Sequence, residues 1–253
     1  MVYFLREMLN YMDQDLMTIG EAAIALDVSV DTLRRWDESG RFSSIRNTPL
    51  GHRYYSKKAI EIYLSDLLKL ATGWISDGEE IPAHFYCKDS SIFQARLSKM
   101  QDQLGEVADE EVKKFFPLVV AVAGEIGDNS FSHNLGNWPD VPGIFFGYDL
   151  NRRQVVLADR GQGVLQTLKR VRPELLDDKQ ALKVAFTEIV SGRAPEERGN
   201  GLKFVRRVVT KSLLGLFFQS GSAQLELKRG ISEDLHIKQA QEYYRGCLAS
   251  ITF

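Results

Sequence analysis

The spacing of apolar positions near the amino terminus predicts two short helices joined by a tight turn. Thr18 and Ser29 are residues of the type that caps a helix N-terminus, and Gly40 is typical of the position just after a helix. Apolar residues between these points recur at helical spacing, so each helix is expected to bury one face. Those residues are Ala22, Ala23 and Leu26 in the first helix and Val30, Leu33 and Trp36 in the second.

The apolar pattern of the carboxy-terminal half predicts a larger domain of helices and strands. The run FFPLVVAVAG predicts a helix that enters a core, and EIGDNSFSHN continues it with closely spaced polar residues. GIFFGYDLNRRQVVLA is typical of a hairpin, and GLKFVRRVVTKSLL of an amphipathic helix. The segments LFFQSG, AQLELKRG and GCLASITF are predicted to complete the sheet as a meander.

These patterns predict two domains and a connection. Residues 1–16 are an N-terminal extension, and 17–66 are a helical domain. Residues 67–107 are a linker that holds the turn-rich stretch TGWISDGEEIP and a connecting helix over CKDSSIFQARLSKMQDQL. Residues 108–253 are the larger domain.

The overall composition does not favour any one class of binding partner. A chain of 253 residues with 44% hydrophobic and 26% charged residues is ordinary for globular protein, and its net charge is only −2. Any basic surface must therefore be local. Cys87 and Cys247 lie far apart without a CxxC pattern, which disfavours a disulfide framework or a zinc site. With no signal peptide and no membrane-spanning run, a cytoplasmic protein without membrane contact is expected.

The first domain resembles the winged helix-turn-helix of MerR-type regulators and phage excisionases. The likeness rests on TIGEAA, on SVDTLRRW and on GHRYY followed by a helix. It implies that the second helix enters the major groove of DNA and that the wing grips the backbone. The residues implied are Thr32, Arg34 and Arg35 on the helix and Arg46, His52 and Arg53 on the wing. From Arg41 to Lys58 the chain has five cations and no acid, which favours one phosphate-facing edge. The alternative is a protein-docking module with a solvated basic surface.

The larger domain carries three motifs in an order that resembles the GHKL ATPases, the superfamily of DNA gyrase, MutL, sensor histidine kinases and anti-sigma-factor kinases. The first motif is E-x-x-x-N-x-x-x-H, the second is D-x-G-x-G and the third is G-x-G-L. The residues that match them are Glu125, Asn129 and His133, then Asp159, Gly161 and Gly163, then Gly199, Gly201 and Leu202. The resemblance implies a Bergerat ATP-binding fold, an α/β two-layer sandwich with helices on a mixed sheet. With the all-α winged helix-turn-helix, the fold class is α+β.

The residue types suit ATP and Mg²⁺ as cofactors. Glu125 and Asn129 are four apart and share a helix face, so Asn129 could ligate the metal while Glu125 acts as general base. Asp159 could accept a hydrogen bond from the adenine amino group, and the glycines leave room for the base and the phosphates. Arg198 and Lys203 are nearby cations. One departure from the family is Cys247 after Gly246, where relatives commonly have threonine, so adenine affinity or selectivity could differ.

Together the two resemblances predict an ATP-binding, ATP-hydrolysing DNA-binding protein, a nucleotide-responsive transcriptional regulator that acts as a homodimer. Two alternatives remain open at this stage. One is a serine protein kinase of the anti-sigma type, and the other is a protein that binds ATP without hydrolysis and acts by docking a protein partner.

Overall fold

The computed structural model describes residues 15–46, 48–49, 51–106, 110–188, 201–228 and 235–253. The chain divides into two compact units. The first extends to Asp66 and includes Glu80–His84, and the second comprises Leu67–Glu79 and Phe85–Phe253. Mixed helix and sheet make the chain an α+β protein.

The described part of the first unit contains three helices and a two-stranded ribbon. Its core includes Leu33, Trp36 and Tyr55, with Phe42 stacked on Tyr55 at 5.8 Å between ring centroids. The ribbon is antiparallel, since β1 pairs with β2. The elements are β1 (Leu16–Thr18), α1 (Ile19–Leu26), α2 (Val30–Glu38), β2 (Tyr54–Ser56) and α3 (Lys57–Ser65).

The predicted helix caps in this unit are confirmed. The Thr18 hydroxyl accepts a hydrogen bond from the Glu21 N–H, and the Glu21 carboxylate accepts one from the Thr18 N–H, which is a complete capping box. Ser29 caps α2 by accepting from the Thr32 N–H at 2.9 Å. Gly40 follows the end of α2 with a φ of +75°, a conformation that glycine adopts without strain.

The second unit packs helices on a five-stranded sheet of order β3-β4-β5-β7-β6. Its strands are β3 (Tyr86–Cys87), β4 (Ile144–Asp149), β5 (Gln154–Asp159), β6 (Gly215–Leu227) and β7 (Ile237–Thr252). Its helices are α4 (Leu67–Asp77), α5 (Ser90–Glu106), α6 (Glu110–Asn134), α7 (Gly163–Lys169), α8 (Asp178–Thr187) and α9 (Gly201–Lys211).

One face of the sheet makes the main core with α5, α6, α8 and α9. Ile144 and Phe146 of β4 and Val155 and Leu157 of β5 alternate into this core, as the two-residue period of a strand requires. Asp159 continues the same alternation, so its side chain lies on the helix side at the end of β5. The sheet thereby places one carboxylate against the helix layer.

The opposite face is covered by α4, which corrects two expectations. The stretch from Thr72 onward was predicted to be turn-rich linker, but α4 continues to Asp77. Leu70 and Trp74 are buried, and α4 packs on β4, β5 and β7. The sheet is therefore covered on both sides here and is not a simple two-layer sandwich. The apolar positions of α4 follow helical spacing, and this outweighs the single glycine at position 73.

The sheet differs from the prediction in pairing and in strand count. Each pair formed by the described strands is antiparallel, whereas the resemblance implied a mixed sheet. LFFQSG and AQLEL, predicted as two strands, belong to the single strand β6, which is irregular around Gly221. Gly221 has a φ of +60° and lies beside the Asp178 carboxylate, so the glycine bends a continuous strand instead of ending it.

Candidate functional site

The second helix of the first unit carries the predicted DNA-contacting side chains. Arg34 and Arg35 are exposed on α2, where Arg34 pairs with Asp31 at 2.7 Å and Arg35 makes a forked pair with Glu80. Thr32 was expected to contact DNA together with them, yet it is only 9% exposed. Its hydroxyl accepts a hydrogen bond from Ser29, so it serves the helix cap.

The wing arginines are held by one carboxylate of α2. Asp37 has a side chain only 6% exposed and pairs with Arg46 and with Arg53, the latter at 2.7 Å. The Ser44 N–H also donates to Asp37 at 2.7 Å. Burial by itself raises the pKa of Asp37, but the hydrogen bonds from Ser44, Arg53 and Arg46 outweigh burial and lower this pKa below its ordinary value. His52, by contrast, is exposed.

In the second unit, residues of all three sequence motifs line one open cavity, a space of about 750 Å³ when the solvent at its mouth is included. It lies between the C-terminal end of α6, the end of β5 and the starts of α7 and α9. The motif residues in its lining are Asn129, His133, Asp159, Gly163, Gly201 and Leu202.

The other predicted site residues of this unit do not line the cavity itself or lie outside the described residues. Glu125 is exposed and lies next to the cavity, because a Cβ placed on Gly201 would be 2.7 Å from its Oε2 atom and 2.9 Å from Asn129 Nδ2. Gly161 lies against the Asn134 side chain, which leaves no room for a Cβ. Arg198 and Gly199 lie outside the described residues.

Asp159 forms the polar floor of the cavity. It is 2% exposed, its Oδ2 atom accepts a hydrogen bond from the Ser130 hydroxyl at 2.8 Å, and its Oδ1 atom accepts one from the Gly161 N–H at 2.9 Å. Burial raises the pKa of Asp159, although the hydrogen bonds from Ser130, Gly161 and Cys247 oppose that rise. The result is a buried carboxyl group that lines the cavity and is held by its neighbours.

Cys247 of β7 lies directly opposite Asp159 and also lines the cavity. Burial and the neighbouring Asp159 carboxylate raise the pKa of the Cys247 thiol well above its ordinary value. The thiol is therefore a weak hydrogen-bonding group and not a reactive thiolate. Its Sγ atom lies 3.6 Å from the Ser220 hydroxyl, which in turn donates to the Gly246 carbonyl at 3.0 Å.

Sequence reasoning missed Ser130 and Asn134, which connect the helix to the second motif. The Gln162 N–H donates to the Asn134 side chain at 2.8 Å and so fixes the glycine turn, while Ser130 fixes Asp159. These two residues are four apart, like Asn129 and His133, and form a second polar row on α6. That spacing was visible in the sequence, but only the packing of β5 on α6 gives it partners. Asp128, also on α6, accepts a hydrogen bond from the Gln94 amide at 2.8 Å and belongs to the α5–α6 contact.

Comparison with known proteins bears on the first unit. The family described as MerR family regulatory protein matches residues 18–55, which run from the cap of α1 to β2. This match supports the helix-turn-helix assignment and a DNA-binding transcriptional regulator. A comparison with curated proteins finds no match. Within the residues described, no helix is long and apolar enough to cross a membrane.

Proposed function

We propose that the protein is a nucleotide-responsive DNA-binding regulator, in which the first unit reads DNA and the cavity of the second unit binds ATP with Mg²⁺. The observation that carries the nucleotide half is the shared cavity. Asn129, Asp159 and Gly201 come from three separate stretches of the chain and line the same space. The order and spacing of their motifs resemble those of the GHKL ATPases, and the geometry supports the same assignment.

The donor set suits a nucleotide. Asp159 is a buried acceptor that lines the cavity, and each carboxylate oxygen can accept a second hydrogen bond, for example from an amino group of a flat base. Apolar walls formed by Ile126, Val164 and Leu168 suit the faces of that base. Gly163 has a φ of +77°, and a Cβ there would collide with the Arg245 carbonyl, so glycine is required for the chain to turn at this wall.

The other end of the cavity suits phosphates. Gly201 begins α9, and backbone N–H groups at a helix N-terminus favour anions. Asn129 supplies an amide oxygen of the kind that Mg²⁺ accepts, and Glu125 is an exposed carboxylate next to it. Bound Mg²⁺ would supply charge neutralisation at the phosphates. In this arrangement Glu125 orients a water molecule and accepts its proton.

The DNA half rests on the family match and on α2. Arg34 and Arg35 are exposed on this helix, and their ion pairs are exposed pairs that contribute little to stability. They can exchange an acidic partner for a phosphate or a base edge at small cost. Arg46 and Arg53 instead fix the wing through buried Asp37 and so shape the DNA-reading surface.

The direct test of the nucleotide half is calorimetric titration of the full chain with ATP and Mg²⁺. We expect saturable binding by the parent protein. Asp159→Asn removes a charge-assisted hydrogen bond and should weaken binding by about 10- to 100-fold, the equivalent of about 1.5–3 kcal/mol. Asp149→Asn, at the far end of the β4–β5 pair, is the matched control and should bind like the parent. Absence of binding by the parent protein would overturn the nucleotide assignment.

A further inference from the structure

A row of cations runs along α9 of the second unit. Lys203, Arg207 and Lys211 are spaced four apart and so lie on one side of the helix, with about 6 Å along the axis between neighbours. Arg207 and Lys211 are exposed, and Lys203 is partly exposed. We call these three residues the α9 row.

The acids that the structure describes around α9 do not pair with the α9 row. Residues 201–225 contain no Asp or Glu. Within the described part of the chain, none of the three cations takes part in an ion pair. Arg207 lies 6.0 Å from the Phe204 ring, a contact that leaves its guanidinium open to a ligand. Of the acids on neighbouring elements, Asp178 is engaged by Ser222, and Glu125 lies at the other end of α9, beside Gly201.

Stability of the helix does not account for the row. A cation in the last turn, such as Lys211, interacts favourably with the helix dipole, but Lys203 is in the first turn, where positive charge is unfavourable. Aligned cations that repel one another at a spacing of four also cost a few tenths of a kcal/mol. The phosphate site proposed at Gly201 can account for Lys203, and an anionic partner along the helix accounts for the row as a whole.

Charge elsewhere in the protein points to the identity of that partner. A DNA-binding protein gains most of its affinity by neutralising phosphates, yet this chain has a net charge of −2. In the first unit, Arg46 and Arg53 are held by buried Asp37, and turning them to DNA would leave that carboxylate unpaired. In the first unit this leaves Arg34 and Arg35 of α2 as the cations already assigned to DNA, so further phosphate contacts are expected from cations outside the first unit.

We propose that the α9 row is a second DNA-contacting surface, which binds the phosphate backbone of double-stranded DNA. This inference rests on the proposed DNA binding by the first unit. Phosphate contacts position a protein without reading sequence, so the row adds affinity and salt dependence but no base preference.

The test measures DNA affinity of the full chain against salt concentration. Each phosphate contact contributes about 0.9 to the slope of log K against log salt, so Arg207→Gln/Lys211→Gln should lower the slope by about 2. The matched control is Lys88→Gln/Lys99→Gln, which removes two exposed cations from outside α9 and should leave the slope unchanged.

Three other results would overturn the inference, and they differ in meaning. An unchanged slope in the α9 variant, with DNA still bound, removes the row from the DNA contact and leaves it to an acidic protein surface or to solvent. An equal fall in both variants shows a general effect of net charge. No DNA binding by the parent protein at low salt defeats the proposed DNA-binding function itself.

Discussion

Asp37 illustrates how one buried carboxylate fixes the shape of the first unit. It lies on α2 and takes both wing arginines, Arg46 and Arg53, as partners. Removing the charge of Asp37 leaves the largely buried Arg46 side chain without this acidic partner, and it leaves Arg53 with the exposed Glu38 carboxylate. For a buried pair, such a loss costs about 3 kcal/mol.

Asp37→Asn is therefore expected to raise amide hydrogen exchange rates in α2 by about 100-fold, which corresponds to a loss of roughly 3 kcal/mol. Asp31→Asn is the control, because the Asp31–Arg34 pair is exposed and contributes at most about 1 kcal/mol. Equal effects from the two substitutions would show that Asp37 does not hold the wing.

The same carboxylate predicts a pH dependence. The pKa of Asp37 is lower in the folded protein than in the unfolded chain, so its stabilisation is complete above the unfolded value of about 4. It is lost as the pH falls from there through the folded pKa. Protection of α2 amides should decline over this acidic range in the parent protein and decline less in Asp37→Asn. Identical pH profiles would remove Asp37 as the cause.

Glu125 gives the corresponding prediction for the cavity. If it accepts a proton from water during hydrolysis, Glu125→Ala should reduce phosphate release from ATP by about 100-fold or more while ATP binding is retained. Glu106→Ala, another glutamate on a neighbouring helix, is the control. Unchanged turnover in Glu125→Ala would exclude the residue from the mechanism.

At the scale of elements, the C-terminal half of α6 carries the first sequence motif and contacts the second at the end of β5. The sequence was enough to predict that Glu125 and Asn129 share a face of this helix, because positions four apart are neighbours on any helix. The contact of Ser130 with Asp159 was not predictable, because it depends on which strand lies against α6 and on its register. The partners of Asp37 were not predictable for the same reason, because Arg46 and Arg53 are 9 and 16 residues away along the chain.

Close packing of α5 on α6 supports this site and can be tested by adding one methyl group. Gly127 of α6 lies against the Phe93 ring, with no space for a Cβ, whereas a Cβ on Gly105 would make an ordinary 4.0 Å contact with Phe116. Gly127→Ala should lower the free energy of unfolding of the second unit by about 1–3 kcal/mol. Gly105→Ala should leave it unchanged or raise it by up to about 1 kcal/mol. The measurement is the urea dependence of amide protection in α5 and α6, and equal values for both variants would contradict this packing.

At the scale of the whole molecule, the sequence predicted a small helix-turn-helix unit and a larger α+β unit with a helix layer. It did not predict the placement of α4 over the second face of the sheet. The stretch TGWISDGEEIP has the composition of a turn, but burial of Trp74 against the sheet extends the helix. Packing against the sheet therefore determines that this segment is helical, and composition alone does not indicate such packing.

In the proposed regulator, ATP binding in the second unit changes the DNA affinity of the protein. A nucleotide can do this only by binding one state of the protein better than another. The decisive measurement is the dissociation constant for a DNA duplex selected from a sequence pool, with and without Mg²⁺ and ATP, for the parent protein and Asp159→Asn. We predict a shift of about 5-fold or more in the parent protein and none in the variant. Equal DNA affinity of the parent protein under both conditions would contradict the account.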